Sequence, residues 1–406
     1  MIKDMKTVFV GMSGGVDSSV AAMLLLEQGY RVVGVYMKNW SRDLPGMKCP
    51  WAEDLADAKR VAVKLGIDFL VWDFEKEYRE KVVEYMLSEF RAGNTPNPDI
   101  MCNQEIKFKL FYEKAMEAGA DFIATGHYAR ARRGTTSLAK NTGEWQIGID
   151  SPRDRTSSRP SLRGSASYAL GSDLREFPRR VYADLNSASL LRAVDENKDQ
   201  TYFLYRISEE ALEHTIFPIG GMMKPEVKKL AAEKGLHNAY KKESMGVCFV
   251  GEVGMKDFLK EYIDVSPGEI RELESERVLG YHEGAVFYTI GQRHGLYLDG
   301  EKGVVNDGMP YYVVKKDVKN NIVYVSKNIN SELLWTKELE LRDVFLRQEV
   351  VPQARVLVRL RHRAPLIPVE FDGKVLRFDS EVKRPAAGQS AVVYDGEVCL
   401  GGGIIK

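Results

Sequence analysis

Residues 7–26 read TVFVGMSGGVDSSVAAMLLL: a β-branched and aromatic run, a turn of small residues, then a second apolar run. The pattern predicts a buried strand, a glycine turn and a buried helix opened by Ser18 and Ser19. Gly14 and Gly15 reach backbone angles closed to other residues, so successive N–H groups can face one concavity and bind an anion. The free N–H groups and dipole of the helix start add to that attraction, and phosphate is the expected ligand. A Walker loop is excluded, because GxxxxGK[ST] needs a lysine that is absent here. The plainer alternative is a strand-to-helix turn capped by serine and aspartate.

The whole chain sets wider bounds. Its 406 residues exceed what one core usually serves, so two or three domains are expected. Lys+Arg and Asp+Glu both total 58, which excludes a uniformly basic nucleic-acid glove and leaves room for a basic face. No apolar run approaches the roughly 20 residues of a membrane span, and the first strand starts too early for a leader. A cytoplasmic protein without membrane contact is the expectation. Cys49, Cys102, Cys248 and Cys399 form no CxxC pair, so neither zinc nor an iron-sulfur cluster is expected. Any disulfide in a reducing compartment would be transient.

Residues 31–37 read as a second strand. Leu55, Ala58, Ala62 and Leu65 follow at helical spacing, closed by Gly66, and 67–72 is a third strand. Alternating strands and helices imply an α/β fold with a parallel sheet, whose ligands sit at the carboxyl ends of the strands. A helix is expected over 78–90. Two prolines then stiffen 94–103, and Asn103 is read as the cap of a further helix ending at Gly119. Cys102 would thus stand just before a helix N-terminus, where a thiol ionises more readily. Residues 121–125 form another strand. The stretch 134–190 loses periodicity, and between 151 and 180 it has seven arginines against three acids. It reads as a flexible insertion, either touching RNA or simply solvated. Helices are expected over 208–214 and 225–234, the second with Pro225 in its first turn. Short alternating strands run from about Gly280 to the end. Among them Arg355, Arg359, Arg361 and Arg363 share one strand face, suited to phosphate backbones or to solvent.

Seven motifs then line up: GMSGGVDSS (11–19), TPNPDIMCNQEIKF (95–108), TGHYAR (125–130), NKDQTYFL (197–204), KKESMGVCFVGE (241–252), YTIGQRHGL (288–296) and AAGQSAVVYDGEVCLGGGI (386–404). SGGVDSS resembles the pyrophosphate loop of the ATP pyrophosphatases. The full series resembles the bacterial-type tRNA-uridine 2-sulfurtransferases, the tRNA 2-thiouridylases, over nearly the whole chain apart from the insertion. The resemblance implies ATP on Gly11, Met12, Ser13, Gly14, Gly15, Val16, Asp17 and Ser18, with Met37 and Gly126 beside the adenosine and Asp17 helping to hold Mg2+. It implies that Asn97, Pro98 and Asp99 meet the target base, with Asp99 as acid/base. Cys248 would carry a persulfide, and Cys102 would pair with it in a transient disulfide. His127, Lys198, Asp199, Gln200, Arg361, His362 and Gln389 match tRNA-contacting positions. The implied architecture is a pyrophosphatase domain over 1–250, a small central domain over 251–307, and a C-terminal β-barrel over 308–406 that contacts tRNA. The implied partners are tRNA at its anticodon region and a persulfide-carrying donor protein or a cysteine desulfurase.

Two departures stand out. Residues 243–247 read Glu-Ser-Met-Gly-Val where the family usually has Asp-Ser-Thr-Gly-Ile, and Arg361-His362 replaces an Arg-Tyr pair. The chemistry accounts for the residue types. A uracil C2 carbonyl is a poor electrophile, and adenylation turns its oxygen into the leaving group AMP before sulfide or the persulfide attacks. Without the family match, Cys248 in its apolar run reads as a core thiol. Two rivals are an ATP pyrophosphatase that uses ammonia or an amino acid, which needs no cysteine pair, and an RNA-binding protein with an inactive loop, which turns over no ATP.

Overall fold

The structure is a computed structural model describing residues 5–43, 49–133, 188–242, 255–296, 298, 309–347, 350 and 353–406. Cys248 and nearly all of the 134–190 stretch lie outside the described residues.

Val8 and Val10 are fully buried and Phe9 nearly so, leaving β1 (Thr7–Gly11) apolar on both faces. Such a strand must be covered by helices on both sides. The chain continues through α1 (Val16–Glu27), β2 (Arg31–Lys38), α2 (Trp51–Leu65) and β3 (Asp68–Asp73). Gly66 closes α2 with φ +67°, the left-handed cap expected of it. After a helical stretch come β4 (Phe122–Thr125), β5 (Arg130–Arg132), β6 (Ser189–Leu191) and β7 (Thr215–Ile216). Sheet order is β3-β2-β1-β4-β7, all parallel. The winding reverses between β1 and β4, where Gly11 pairs with Thr125. A crevice opens at the carboxyl ends of such a pair, so the fold puts the glycine turn where a ligand can enter.

The second unit is a four-stranded sheet of β8 (Gly268–Glu272), β9 (Val278–His282), β10 (Tyr312–Asp317) and β11 (Ile322–Ser326) in the order β10-β11-β8-β9. Residues 312–326, which the sequence reading gave to the barrel from 308, belong to this sheet. Ile270, Val313, Val323 and Val325 bury one shared core there. The barrel itself comprises β12 (Trp335–Leu346), β13 (Ala354–Arg359), β14 (Ile367–Phe371), β15 (Val375–Lys383), β16 (Ser390–Asp395) and β17 (Val398–Ile405), closed by β12 pairing with β17. Among the described residues no helix is long and apolar enough to cross a membrane.

The barrel is docked on the first domain rather than tethered to it. Strand β17 pairs with β6, which pairs with β5, and Tyr202 Oη donates to the Ser390 carbonyl at 2.9 Å. Arg359 Nη1 meets Asp199 Oδ2 at 2.8 Å, with side chains 6% and 0% exposed. This corrects two expectations. Asp199 does not face RNA, since its carboxylate also accepts from the Thr201 hydroxyl and the Ala193 amide. Nor do the arginines form a row. Arg355 is held by Asp379, Arg359 is buried, and Arg361 and Arg363 lie beyond the strand's end. Removing Arg359 leaves the buried Asp199 carboxylate to the more distant Arg192 Nε, at 3.7 Å. Arg359→Met is therefore expected to cost about 3 kcal/mol, read as a lower urea midpoint; an unchanged midpoint would show that the pair contributes nothing.

Candidate active site

At the end of β1, Gly14 adopts φ +78°, and a Cβ there would run into the Asp54 carbonyl of α2. Only glycine fits. The N-cap of α1 is Gly15, with no side-chain cap hydrogen bond, so the first-turn N–H groups are left to a ligand. Ser18 and Ser19 do not cap that start; their hydroxyls donate back to the Gly15 carbonyl at 3.1 and 2.9 Å. Asn238 braces the loop from behind, donating to the Gly14 carbonyl and Ser19 Oγ at 2.9 Å each. Gly126, after β4, lies so close to α1 that a Cβ would stand 2.5 Å from the Ser18 nitrogen. Met37 closes over Gly11, its Cε 2.9 Å from where a Cβ would be. The expected nucleotide residues are thus brought together in one cradle, of the kind that a phosphate and its nucleoside would fill.

Asp17 has a partner that the sequence reading missed. Lys224 Nζ lies 2.7 and 2.8 Å from its two carboxylate oxygens, and Tyr128 Oη donates to Oδ1 at 3.0 Å. Asp17 was expected to hold Mg2+, yet both of its oxygens face an ammonium group. The described residues contain no cluster of three or more His, Cys, Asp or Glu that could hold a metal ion. The pairing has an electrostatic logic. A carboxylate in the first turn of α1 would repel phosphate, and Lys224 cancels that charge. The signal for Lys224 was present in the sequence as the residue before Pro225, but it read only as a helix start.

The second cluster comprises His127, next to Gly126 in the chain, and the helical segment after Asn97. The helix expected after Asn103 begins earlier: Asn97 is the N-cap, Pro98 opens Pro98–Met101, and a π-helical segment, Cys102–Leu110, continues it to a kink at Phe108. Cys102 is therefore one turn inside a helix, 2% exposed, with its N–H bonded back to that turn. The helix-start argument for an activated thiol does not apply to it. Asp99, one turn before Cys102, has its pKa raised by burial, against a smaller opposing effect of Lys107. His127 is held neutral, its pKa well below the ordinary value, by burial first and by Lys107 second. His127 Nδ1 pairs with Thr125 Oγ1 at 2.8 Å, and its ring packs 5.7 Å from Phe108. A carboxyl that keeps its proton more readily than usual can pass protons at a bound base, and Lys107 acts on both Asp99 and His127. The adjacent residues Gly126 and His127 join this cluster to the nucleotide cradle.

Family models span the chain. Residues 6–159 and 176–252 match the tRNA methyl transferase HUP domain, 256–327 the tRNA methyl transferase PRC-barrel domain, and 336–405 the aminomethyltransferase beta-barrel domain. The tRNA-specific 2-thiouridylase MnmA 2 of Geobacillus kaustophilus (strain HTA426) is 41% identical over 405 residues, covering 98% of this chain and 94% of the relative. The chain belongs to the tRNA 2-thiouridylase family. MnmA of Streptococcus sanguinis (strain SK36) is 40% identical over 404 residues, again 98% of this chain and 94% of the relative.

The remaining positions singled out by the family resemblance fall in three places. Gln200 faces inward: its side chain accepts from the Tyr128 amide at 2.8 Å, fixing the TGHY turn. Arg361 is exposed and His362 half-buried, the latter 4.5 Å from the Phe203 ring, with its pKa pushed down to about 4 by burial and by Arg363 and Arg359. Gln389 reaches back to the first domain, to the Thr95 carbonyl at 2.7 Å. The other two described cysteines are held protonated: burial raises Cys49 and pushes Cys399 up to about 12.

Proposed function

We propose that the protein carries out ATP-dependent 2-thiolation of the wobble uridine of tRNA. In this reading the α1 cradle, Gly11 to Ser18 with Met37 and Gly126, takes ATP, with Mg2+ arriving as the chelate of its phosphates. Asn97, Pro98 and Asp99 receive the base. The uridine C2 oxygen attacks the α-phosphorus, pyrophosphate leaves, and the C2–O–AMP bond makes the oxygen a leaving group. Backbone N–H groups at the start of α1 and the Lys224 ammonium suit the charge that develops on phosphate.

Sulfur arrives as a persulfide on Cys248 from a donor protein. The Cys102 thiolate attacks the Cys248 sulfur, a Cys102–Cys248 disulfide forms, and hydrosulfide leaves. Hydrosulfide adds at C2, AMP departs, and an external thiol reduces the disulfide with two electrons. Lys198, His127, Arg361 and His362 are the proposed tRNA contacts; Asp199 is not among them.

The single observation behind this reading is the junction at Gly126-His127: Gly126 lies against the glycine-built start of α1, and the His127 ring packs on Phe108 of the segment that begins at Cys102. The test is incubation with ATP, Mg2+, a sulfide source and unmodified tRNA, followed by mass analysis of nucleosides. Wobble 2-thiouridine supports the reading. AMP formation without RNA dependence points to a small-molecule ligase, and RNA binding without AMP to an inactive loop.

A further inference from the structure

The segment that presents Asn97, Pro98 and Asp99 is pinned by the barrel. The Thr95 N–H donates to the Ala387 carbonyl at 2.7 Å, and the Thr95 carbonyl accepts from Gln389 Nε2 at 2.7 Å. Both polar groups of one backbone residue in the first domain therefore end on a single turn between β15 and β16. That turn is itself fixed to the barrel wall, with the Gly388 N–H donating to the Ile405 carbonyl and the Ile405 N–H to the Gln389 carbonyl, at 2.9 and 2.8 Å. Gly388 has φ +90°, and a Cβ there would stand 2.9 Å from the Asn94 Cβ and 3.0 Å from the Thr95 nitrogen. Glycine lets the two backbones meet.

From Thr95 the path to Asp99 is short and stiff. Pro96 and Pro98 fix their own φ angles and supply no N–H, so this stretch cannot brace itself as a helix or hairpin would. Pro98 opens the helix that bears Asp99 and, one turn on, Cys102. Upstream, the Asn94 side chain donates to Glu89, whose carboxylate is also held by Arg342 of β12. The entry to the segment is thus tied to the barrel a second time.

We infer that Gln389 is a positioning residue: through Thr95 it holds the Asn97-Pro98-Asp99 segment in register with the nucleotide cradle, so the barrel acts on turnover and not only on RNA affinity. This rests on the function proposed above. It differs from an RNA contact by Gln389 in that the side-chain NH2 is engaged by the Thr95 carbonyl at 2.7 Å.

The test compares Gln389→Met with the parent, since methionine keeps the length and removes the donor. Turnover at saturating tRNA is expected to fall about ten-fold, the order of one lost hydrogen bond that aligns reacting groups. The tRNA Kd is expected to stay within about two-fold, on the same ground that Gln389 does not touch RNA. Hydrogen exchange in the substrate-free protein is expected to quicken in peptides over 91–101, which lose one of their two ties to the turn. Gly388→Ala, which pushes the turn away, is expected to do the same. A weaker Kd with unchanged turnover would assign Gln389 to RNA and overturn the inference, as would unchanged exchange. If the parent protein makes no 2-thiouridine, the proposed function fails, while exchange still reports whether the clamp exists.

Discussion

Asp17→Asn is expected to lower tRNA-dependent release of AMP and pyrophosphate roughly 10³-fold while leaving tRNA affinity within a few-fold. The carboxylate engages Lys224 with both oxygens and takes the Tyr128 hydroxyl on one of them. An asparagine offers one oxygen, and its NH2 turns a donor toward an ammonium. Lys224 is nearly buried, so an uncompensated charge there is costly, and the side chain must move or lose its proton. Either outcome takes the cation away from the start of α1, where the phosphates are proposed to bind. Lys224→Met should produce a comparable loss. The double variant should be no worse than about the larger single effect, because the two groups act as a unit. RNA affinity is expected to be spared because the loop is proposed to handle the nucleotide and not the RNA. AMP release at the parent rate in Asp17→Asn would refute the assignment of this loop to ATP chemistry.

The same pair shows what a sequence discloses and what it hides. The strand, glycine turn and helix at 7–27 were legible because their cause is local: apolar runs flank residues whose backbone freedom is unusual. Gly66 as a left-handed cap and Pro225 at a helix start were legible for the same reason. The Lys224–Asp17 pair joins residues 207 positions apart, and no periodicity marks a partner at that distance. Arg359 is the sharper case. In sequence it alternates with valines like any outward-facing strand residue, yet the face it points to is covered by Asp199 and Tyr394 of neighbouring elements. Alternation reports which residues share a face, and only tertiary packing decides whether that face is wet.

The start of the helix carrying Cys102 was misread for a local reason. Asn97 and Asn103 are both good caps, and the two prolines suggested an extended path through 98. Proline in the first helical position costs no hydrogen bond, which is why Pro98 begins the helix instead of excluding it. The consequence is mechanistic, since Cys102 moves from just before a helix N-terminus to a buried position one turn inside the helix. Strands β10 and β11 were assigned to the wrong sheet because a strand's own pattern does not name its neighbour.

Cys102→Ser is expected to abolish thiolation when a persulfide donor protein supplies the sulfur, while leaving the persulfide on Cys248 and the adenylation of tRNA intact. Serine keeps the size of the side chain, so a buried helical site should fold around it. Its hydroxyl cannot attack the Cys248 sulfur to form a disulfide, and hydrosulfide is not released. Cys248→Ser is expected to lose both persulfide labelling and thiolation, because the proposed carrier is gone. Two cysteines with unequal roles thus give two different stalled proteins, separable by peptide mass after donor treatment. High free sulfide bypasses the relay and should restore part of the turnover in both, yet none in Asp17→Asn, whose fault precedes sulfur delivery. Asp99→Asn should leave persulfide labelling untouched, since its proposed task is proton transfer at the base. A persulfide trapped on Cys102 would reverse the two roles. Full activity of Cys102→Ser with the protein donor would remove the disulfide step and leave direct attack by the Cys248 persulfide on C2, for which the helix around Cys102 would serve only as a wall.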